Sequence, residues 1–326
     1  MSGGNLTDFD GDLWVVGLPD RELRELTSGP DADADGAVSP DGARVAFTRY
    51  DVAGIGSGGV YIVDVAGGEP TLLREDAASP AWSPDGTRIA MLDLDPFAGA
   101  FGGGIVVMDP ASGEEVVVPA SFAGPPAWSP DGSRIAFTDQ GSFDGDPFGD
   151  PFGGPFGDPF GEMPPASIVV VDLVAGDEPQ QIAQLPAAGP ISWSPDGATL
   201  LLEAWDGGLT ILDAATGEEE TTIDVGGSYT QGARWSPDGE RLAFIRVGTF
   251  GGSAVMTVPA SGGEPTEIAT FGSEVFVTGL IWSPDAERLA VASQGIGLTG
   301  DLYVVDADGG EPITVLTGVQ YLLGWH

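Results

Sequence analysis

The sequence predicts an all-β fold, a closed β-propeller of four-stranded antiparallel blades. Three observations support this prediction: a turn motif recurs, short β-branched segments follow each copy, and the two ends of the chain carry matching strand sequences. The motif Ser-Pro-Asp-Gly begins at Ser39, Ser83, Ser129, Ser194 and Ser236, and the variant Ser-Pro-Asp-Ala begins at Ser283. The intervals are 44, 46, 65, 42 and 47 residues, and all but the longest suit a propeller blade of about 40–45 residues.

Each repeat opens with a short strand that ends in a bulky residue just before the turn. This place is held by Trp82, Trp128, Trp193, Trp235 and Trp282, and by Val38 in the first copy. A bulky side chain at one register of every blade is expected to wedge between neighbouring sheets. In the turn, Pro presets φ and Gly accepts a left-handed conformation. Ala286, which replaces that Gly in the last copy, is therefore expected to cost about 1 kcal/mol.

A second strand follows the turn and starts at a recurring arginine. The arginines are Arg44, Arg88, Arg134, Arg241 and Arg288, and Thr199 is the exception. We interpret them as blade-to-blade pairing groups, with the aspartates that end the third strands as partners: Asp64, Asp109, Asp172, Asp213 and Asp306. Third strands such as VYIVD from Val60 lead through a Gly-rich turn to a fourth strand. Short β-branched runs bounded by Gly, Pro and Asp are typical of strands.

The two ends of the chain complement each other. DLWVV from Asp12 resembles the third-strand sequence DLYVV from Asp301, and the closing YLLGWH resembles a first strand with Trp325 in the Trp place. Joining these ends in one blade would remove the open sheet edges. Six full repeats plus this blade make seven blades, and six blades with a terminal hairpin are the alternative. In either case residues 1–326 are predicted to form a single propeller domain.

The repeat W-S-P-D-G-x-R-[IL]-A, followed by a strand ending in Asp, resembles the TolB-type propeller repeat, a relative of the WD repeats. The resemblance covers nearly the whole chain. It implies a protein-binding or ligand-binding propeller, often in the bacterial cell envelope and sometimes fused to a peptidase domain. The N-terminal sequence MSGGNLTDFDGDLW has no basic segment followed by an apolar one, so no signal peptide is expected in the sequence as it stands. The compartment is left open, with the cell envelope, periplasm or extracellular space suggested by the resemblance.

Charge excludes several classes of partner. The chain has 50 acidic and 11 basic residues, all 11 of them Arg, and a formal net charge of −39. This charge repels the phosphates of nucleic acids and anionic membranes. No segment approaches the 18 apolar residues that a membrane span needs, so membrane insertion is not expected. The composition is of the halophilic type. A strongly acidic surface suits high salt, since the salt screens the repulsion between surface carboxylates.

Residue types also argue against an enzyme. The chain has no Cys, its single His is the last residue, His326, and it has no G-x-S-x-G nucleophile elbow. We therefore expect no catalytic residues. The alternatives left open are a carboxylate-based hydrolase in the central channel, with or without calcium, and the propeller part of a peptidase that lacks its catalytic domain.

Strand order places the long loops at one end of the blades. We call this the loop end, and we call the end with the Ser-Pro-Asp-Gly turns the turn end. An insertion at 144–165 carries four copies of [DG]-P-F-G and has no core of its own. Exposed Phe side chains favour contact with a partner or with the propeller rim, and the alternative left open is a disordered tract. The candidate binding residues are the phenylalanines of these loops: Phe97, Phe101, Phe148, Phe152, Phe156, Phe160 and Phe250.

A candidate metal site lies in the sequence DADADG, which is expected to be a loop before the first complete repeat. Asp31, Asp33 and Asp35, followed by Gly36, match the opening of a calcium loop. The match ends at Gly42, which stands where the bidentate Glu would be. Calcium is thus the one candidate cofactor. The function predicted from the sequence is a non-catalytic propeller or scaffold that binds a protein or peptide through its loop end.

Overall fold

The computed structural model describes residues 12–16, 23–50, 58–94, 103–121, 123–140, 165–174, 179–186, 188–204, 208–225, 229–248, 252–295 and 300–319. Every regular element in these ranges is a β-strand. A helix long and apolar enough to cross a bilayer is absent from these ranges.

Six four-stranded antiparallel sheets, each in strand order one to four, form six consecutive blades. Blades 1 and 2 consist of β3 (Ala32–Val38), β4 (Arg44–Tyr50), β5 (Gly59–Asp64) and β6 (Thr71–Glu75), and of β7 (Ala77–Trp82), β8 (Ile89–Asp93), β9 (Ile105–Met108) and β10 (Glu115–Val118). Blades 3 and 4 consist of β11 (Ala127–Trp128), β12 (Arg134–Asp139), β13 (Pro165–Asp172) and β14 (Gln180–Pro186), and of β15 (Ala188–Trp193), β16 (Thr199–Ala204), β17 (Leu209–Asp213) and β18 (Glu219–Ile223). Blades 5 and 6 consist of β19 (Tyr229–Trp235), β20 (Arg241–Val247), β21 (Ser253–Pro259) and β22 (Thr266–Phe271), and of β23 (Val275–Trp282), β24 (Arg288–Gly295), β25 (Gly300–Asp306) and β26 (Ile313–Val319).

The four-stranded blades confirm the predicted propeller, and their number matches the six-blade alternative. A further two-stranded sheet, β1 (Trp14–Val16) and β2 (Leu23–Glu25), precedes them. Leu13 and Leu26 lie beside these two strands and pack against Phe47 of blade 1. They cover the side of blade 1 on which a neighbouring blade is expected. The C-terminal strand that would complete a seventh blade, residues 321–326, falls outside the described residues, as does the predicted strand at 5–8.

First strands of successive blades contact one another, as expected of the innermost strands of a propeller. Side chains from neighbouring blades share each hydrophobic core. In the core between blades 1 and 2, for example, Ala46 and Val60 pack with Trp82, Ile89 and Met91, all less than 9% exposed. Because the cores lie between sheets, the blades stabilise each other pairwise.

The Ser-Pro-Asp-Gly turns share one hydrogen-bond network. In blade 3 the Ser129 hydroxyl donates to Asp131 Oδ1 (2.6 Å) and accepts from the Arg134 N–H (2.9 Å). Asp131 also accepts from the Ser133 N–H (3.0 Å), and the turn glycine, Gly132, has φ 69°. The predicted left-handed position is therefore confirmed, and Ala286 occupies it with φ 58°.

The Trp and Arg places together form a seam between blades. The Trp193 ring packs in the core between blades 3 and 4, and its indole N–H donates to the Ala127 carbonyl of the preceding blade (3.0 Å). The guanidinium of Arg134, also from the preceding blade, lies 4.5 Å from the Trp193 ring centre and donates to the Gly197 carbonyl (2.9 Å). The predicted Trp wedge is confirmed, and the predicted blade-to-blade role is confirmed for four of the five arginines: Arg44, Arg88, Arg134 and Arg241.

The predicted partners of these arginines are different from those in the structure. Arg134 binds a ring face and a backbone carbonyl of the next blade, and Arg241 adds an ion pair with Asp308 (3.1 Å). Among the third-strand aspartates, Asp109 and Asp213 accept hydrogen bonds from backbone N–H groups of their own turns. These residues cap turns because an Asp side chain reaches the backbone two residues ahead.

The turn aspartates predict a loss of stability in acid. In all six turns the pKa of the aspartate is lowered, first by the serine hydroxyl and then by a backbone N–H, and for Asp131 it is lowered to about 2. A carboxyl group whose pKa is lower in the folded chain stabilises the fold above its unfolded pKa, and this contribution is lost as the pH falls through the folded pKa. We expect the free energy of unfolding, measured by urea denaturation and circular dichroism, to fall between about pH 4 and pH 2.

A matched pair of variants isolates one turn. Asp131→Asn should show a smaller decrease over this pH window than the wild type, since the titrating group is gone. Glu264→Gln removes one charge at an exposed turn position and should retain the wild-type decrease. Equal decreases in Asp131→Asn and the wild type would contradict the assignment.

Candidate binding site

The loop end is described mainly through the strand ends that border it. All seven candidate phenylalanines, Phe97, Phe101, Phe148, Phe152, Phe156, Phe160 and Phe250, lie outside the described residues. A polar cluster is nevertheless described at the loop end of blades 1 and 2. It consists of Asp33, Asp35, Arg49, Tyr50 and Ser79, and we refer to it as the mouth cluster.

A buried ion pair anchors the mouth cluster. Arg49 Nε and Nη2 donate to the two carboxylate oxygens of Asp33 at 2.7 and 2.8 Å. The Asp33 side chain is completely buried, whereas the Arg49 side chain is 19% exposed. The two residues face each other directly across β3 and β4. This two-bond geometry matches the planar guanidinium to the carboxylate.

Aromatic rings hold the guanidinium from the side. The Arg49 guanidinium carbon lies 5.0 Å from the Tyr61 ring centre and 5.4 Å from that of Phe47, and the two rings are stacked 5.9 Å apart. The hydrogen bonds to Asp33 raise the pKa of Arg49. Arg49 is therefore held in a fixed position at the edge of the mouth, with its charge paired to that of Asp33.

Asp35 accepts two side-chain hydrogen bonds next to this pair. The Tyr50 hydroxyl donates to Asp35 Oδ2 at 3.2 Å, and the Ser79 hydroxyl of blade 2 donates to the same atom at 3.4 Å. Burial, followed by the charge of Asp35, raises the pKa of Tyr50 to about 12. The Ser79 N–H donates to Thr48 Oγ1 (3.0 Å), so both bonds of Ser79 join blade 2 to blade 1.

Backbone strain concentrates at the same place. Four non-glycine residues in the described part of the chain have φ in the left-handed region, and three of them are Asp35 (51°), Asp76 (53°) and Ser79 (51°). Asp35 and Ser79 occupy the irregular steps in the pairing of β3 with β4 and of β7 with β8. Left-handed non-glycine residues cost about 1–3 kcal/mol each and cluster at binding sites.

The segment predicted to be a calcium loop is largely strand. Residues 32–38 form β3, so the loop prediction for DADADG is wrong. Both Asp33 oxygens bind Arg49, and a calcium ion at Asp33 would face that positive charge at close range. Within the described ranges, groups of three or more His, Cys, Asp or Glu placed to hold a metal ion are absent. Calcium binding by Asp31, Asp33 and Asp35 stays a prediction, to be tested by calorimetry.

A second buried carboxylate lies between blades 4 and 5. Glu203 is 7% exposed, and its Oε1 accepts from the Ala233 N–H at 2.8 Å. Burial raises the pKa of Glu203. Ala233 lies at the irregular step of β19, one residue after Gly232, which is the equivalent of Ser79 in β7. Glu203 thus joins blades 4 and 5 by accepting a backbone N–H from the next blade, as Thr48 joins blades 1 and 2.

Exposed aromatic side chains border the loop end at the starts of two first strands. Tyr229 at the start of β19 is 50% exposed, and Phe276 near the start of β23 is 45% exposed. Tyr50 in the mouth cluster is 38% exposed. Aromatic groups at the rim of a polar opening are typical of surfaces that bind proteins or peptides.

The calcium-loop motif contains Asp31, Asp33 and Asp35, whereas Arg49, Tyr50 and Ser79 of the mouth cluster lie outside it. One signal could have revealed Arg49: it lies five residues after Arg44 in the predicted second strand, outside the repeated Arg place. A long basic residue opposite alternating aspartates in a paired strand predicts a cross-strand ion pair.

Comparison with known proteins supports the fold. No protein-family profile matches the sequence, and no curated protein matches it in sequence. Among solved structures, TolB from Acinetobacter baumannii is similar at 19% identity with a TM-score of 0.56, over 83% of this chain and 65% of that one. The present chain therefore spans slightly less than two thirds of that TolB.

The fold is a TolB-like β-propeller.

Two further structures share this TolB-like fold. An oligogalacturonate lyase from Vibrio parahaemolyticus is 14% identical with a TM-score of 0.66, over 94% of this chain and 84% of that one. The β-propeller domain of the Trilobed protease from Pyrococcus furiosus, which has an open velcro topology, is 15% identical with a TM-score of 0.66, over 94% of this chain and 87% of that one.

These comparisons correct the prediction that the chain is not an enzyme. The oligogalacturonate lyase has this fold across 94% of the present chain, so the fold is compatible with catalysis. The missing cysteines, the single His326 and the missing nucleophile elbow concern particular catalytic groups only. At 14% identity the likeness shows the fold and assigns no catalytic residue.

Proposed function

We propose that the chain is a propeller that binds a protein or peptide at its loop end, with the mouth cluster as the central contact. The observation that carries this proposal is the meeting of three left-handed residues, Asp35, Asp76 and Ser79, with a side-chain network that crosses two blades. Strain of this kind persists where the surrounding structure holds a surface in a shape that binding requires.

The chemistry of the mouth cluster favours a ligand that donates hydrogen bonds or carries positive charge. Asp35 is exposed, and its carboxylate accepts hydrogen bonds from the hydroxyl groups of Tyr50 and Ser79. Arg49 is already bound to Asp33 and offers little free charge of its own. A net charge of −39 also steers basic ligands towards the chain.

Aromatic side chains would supply the apolar part of the contact. Tyr50, Tyr229 and Phe276 are exposed at the loop end. We propose the predicted loop phenylalanines, including those of the insertion at 144–165, as additional contacts with the same partner. A location in the cell envelope is part of the proposal and is supported by the TolB-like fold.

The experiment is an affinity capture at native salt, followed by binding measurements with the purified captured protein. We expect Asp35→Asn to weaken binding about tenfold or more, because a charged hydrogen-bond acceptor contributes about 1.5–3 kcal/mol. Deletion of residues 144–165 tests the insertion separately.

Glu264→Gln is the matched control, since it removes one carboxylate charge from the turn end. Its affinity should equal that of the wild type. Equal weakening by Asp35→Asn and Glu264→Gln would indicate general electrostatic attraction and would overturn the proposal that the mouth cluster is the contact.

A second candidate function is favoured by the likeness to the propeller domain of the Trilobed protease. In this alternative the propeller serves a peptidase, as a surface that admits or holds its substrates. Recovery of a peptidase as the main captured protein, together with a changed cleavage rate on adding the propeller, would support it.

A further inference from the structure

The seam between blades 4 and 5 differs from the others in one side chain. In four seams an arginine lies over the Trp of the next blade: Arg44 over Trp82 at 4.7 Å, Arg88 over Trp128 at 5.0 Å, Arg134 over Trp193 at 4.5 Å and Arg241 over Trp282 at 5.2 Å. Three of these arginines also donate to the turn carbonyl of the next blade, at Gly132, Gly197 and Ala286. Blade 4 has Thr199 in the arginine place, and no described arginine lies over Trp235.

The backbone at this seam keeps the common geometry. A Cβ built on Gly239 would lie 3.6 Å from Pro195 Cδ of the preceding blade. The equivalent distance is 3.6 Å at Gly86 and Gly132 and 3.4 Å at Gly197. The Gly239 carbonyl therefore stands where other seams present a carbonyl to a guanidinium, and no described residue donates a hydrogen bond to it.

Trp235 itself is less enclosed than its counterparts. The four tryptophans beneath an arginine are between 5% and 9% exposed, whereas Trp235 is only partly buried. In those four the indole N–H donates to a carbonyl of the preceding blade. The Trp235 indole N–H is buried and has no hydrogen-bond partner among the described residues.

Negative charge surrounds this place. Asp213 is the direct cross-strand neighbour of Thr199, at the position where Asp64, Asp172 and Asp306 face an arginine in their own blades. The turn and strand that follow carry Glu218, Glu219 and Glu220, all exposed. A cation here would replace the charge that Thr199 does not supply.

We propose that the Trp235 site, formed by the Trp235 ring, the Gly239 carbonyl and Asp213, binds the guanidinium group of an arginine from a partner protein. The group would stack on Trp235 and donate to the Gly239 carbonyl, as Arg134 does at Trp193. Arginine fits better than lysine, because a planar guanidinium stacks on a ring while its edge donates hydrogen bonds. The site lies at the turn end, opposite the mouth cluster, and is tested separately from it.

The test follows the indole N–H signals of ¹⁵N-labelled protein by NMR, with the Trp235 signal identified by its loss in Trp235→Phe. The probe is the blocked tripeptide Gly-Arg-Gly, and the control is Gly-citrulline-Gly, which has the same shape without the charge. We expect the Trp235 signal to shift saturably with the arginine peptide, with a Kd on the order of 1 mM, and to stay unmoved with the citrulline peptide.

Two charge-matched variants complete the test. Thr199→Arg should fill the site, abolish the shift and raise the melting temperature by about 1–3 °C. Thr314→Arg adds the same charge at an exposed position of blade 6 and should leave the shift intact. The proposal is overturned if the Trp235 signal does not move, if both peptides move it equally, or if it still moves in folded Thr199→Arg. The wild-type titration decides even if Thr199→Arg does not fold.

Discussion

Replacing Trp193 by Ala is expected to lower the free energy of unfolding by about 3–5 kcal/mol, measured by urea denaturation followed by circular dichroism. The ring is 7% exposed and fills the core between blades 3 and 4. Its removal leaves a cavity, deprives the Ala127 carbonyl of its donor and takes away the surface on which Arg134 stacks. These losses act on one seam, so the effect should exceed that of an ordinary large-to-small substitution at the surface.

Trp235→Ala is the matched comparison, because it removes the same side chain at the same register. Trp235 is partly buried, has no arginine above it and makes no indole hydrogen bond among the described residues. We expect a loss at least 1 kcal/mol smaller than that of Trp193→Ala, since less packing and no hydrogen bond are removed. Equal losses in the free energy of unfolding would show that the stacked arginine and the indole hydrogen bond do not stabilise a seam.

The repeat predicted most of the fold because its signals are local. Ser129, Asp131 and Gly132 specify their turn through bonds within six residues of chain, so the sequence alone reveals it. The partners of Arg134 are the Trp193 ring and the Gly197 carbonyl, more than 50 residues away. No local sequence pattern predicts a contact over that distance. Proximity in the repeat favoured the third-strand aspartates, of which Asp109 and Asp213 instead cap their own turns.

The DADADG segment shows how one pattern can predict two structures. Alternating Asp and Ala resembles a calcium loop, but alternation with period two also puts every second side chain on one side of a strand. Arg49 decides between the two readings, because it lies opposite Asp33 in the neighbouring strand. The network at Asp35, Tyr50 and Ser79 was beyond prediction, since it depends on irregular strand steps and on contact between blades.

Replacing Arg49 by Ala is the second substitution with a large expected effect. Asp33 is completely buried, and without Arg49 its carboxylate would remain in the protein interior without a compensating charge. Removing one partner of a buried ion pair costs about 3–5 kcal/mol. Urea denaturation should show this loss, and binding of the captured partner at the mouth cluster should weaken as well.

Arg246 is the control that separates burial from the ion pair itself. It occupies the same register in blade 5, five residues after the repeated arginine, and pairs with Glu267 at 2.7 Å, the same distance as Arg49 to Asp33. Its side chain is 35% exposed and that of Glu267 is 45% exposed. Arg246→Ala should therefore cost only about 0–1 kcal/mol.

A double substitution decides whether the Asp33–Arg49 pair supplies stability or shape. Asp33→Leu with Arg49→Met replaces the pair by apolar groups of similar size, and buried pairs replaced in this way often lose no stability. We expect the double variant to recover most of the stability lost in Arg49→Ala and yet to bind the partner more weakly than the wild type. That outcome would mean that the ion pair serves recognition, by holding β3 and the irregular strand pairing at Asp35 in the conformation that binds the partner. Full recovery of both stability and binding would instead leave the ion pair without a role in recognition.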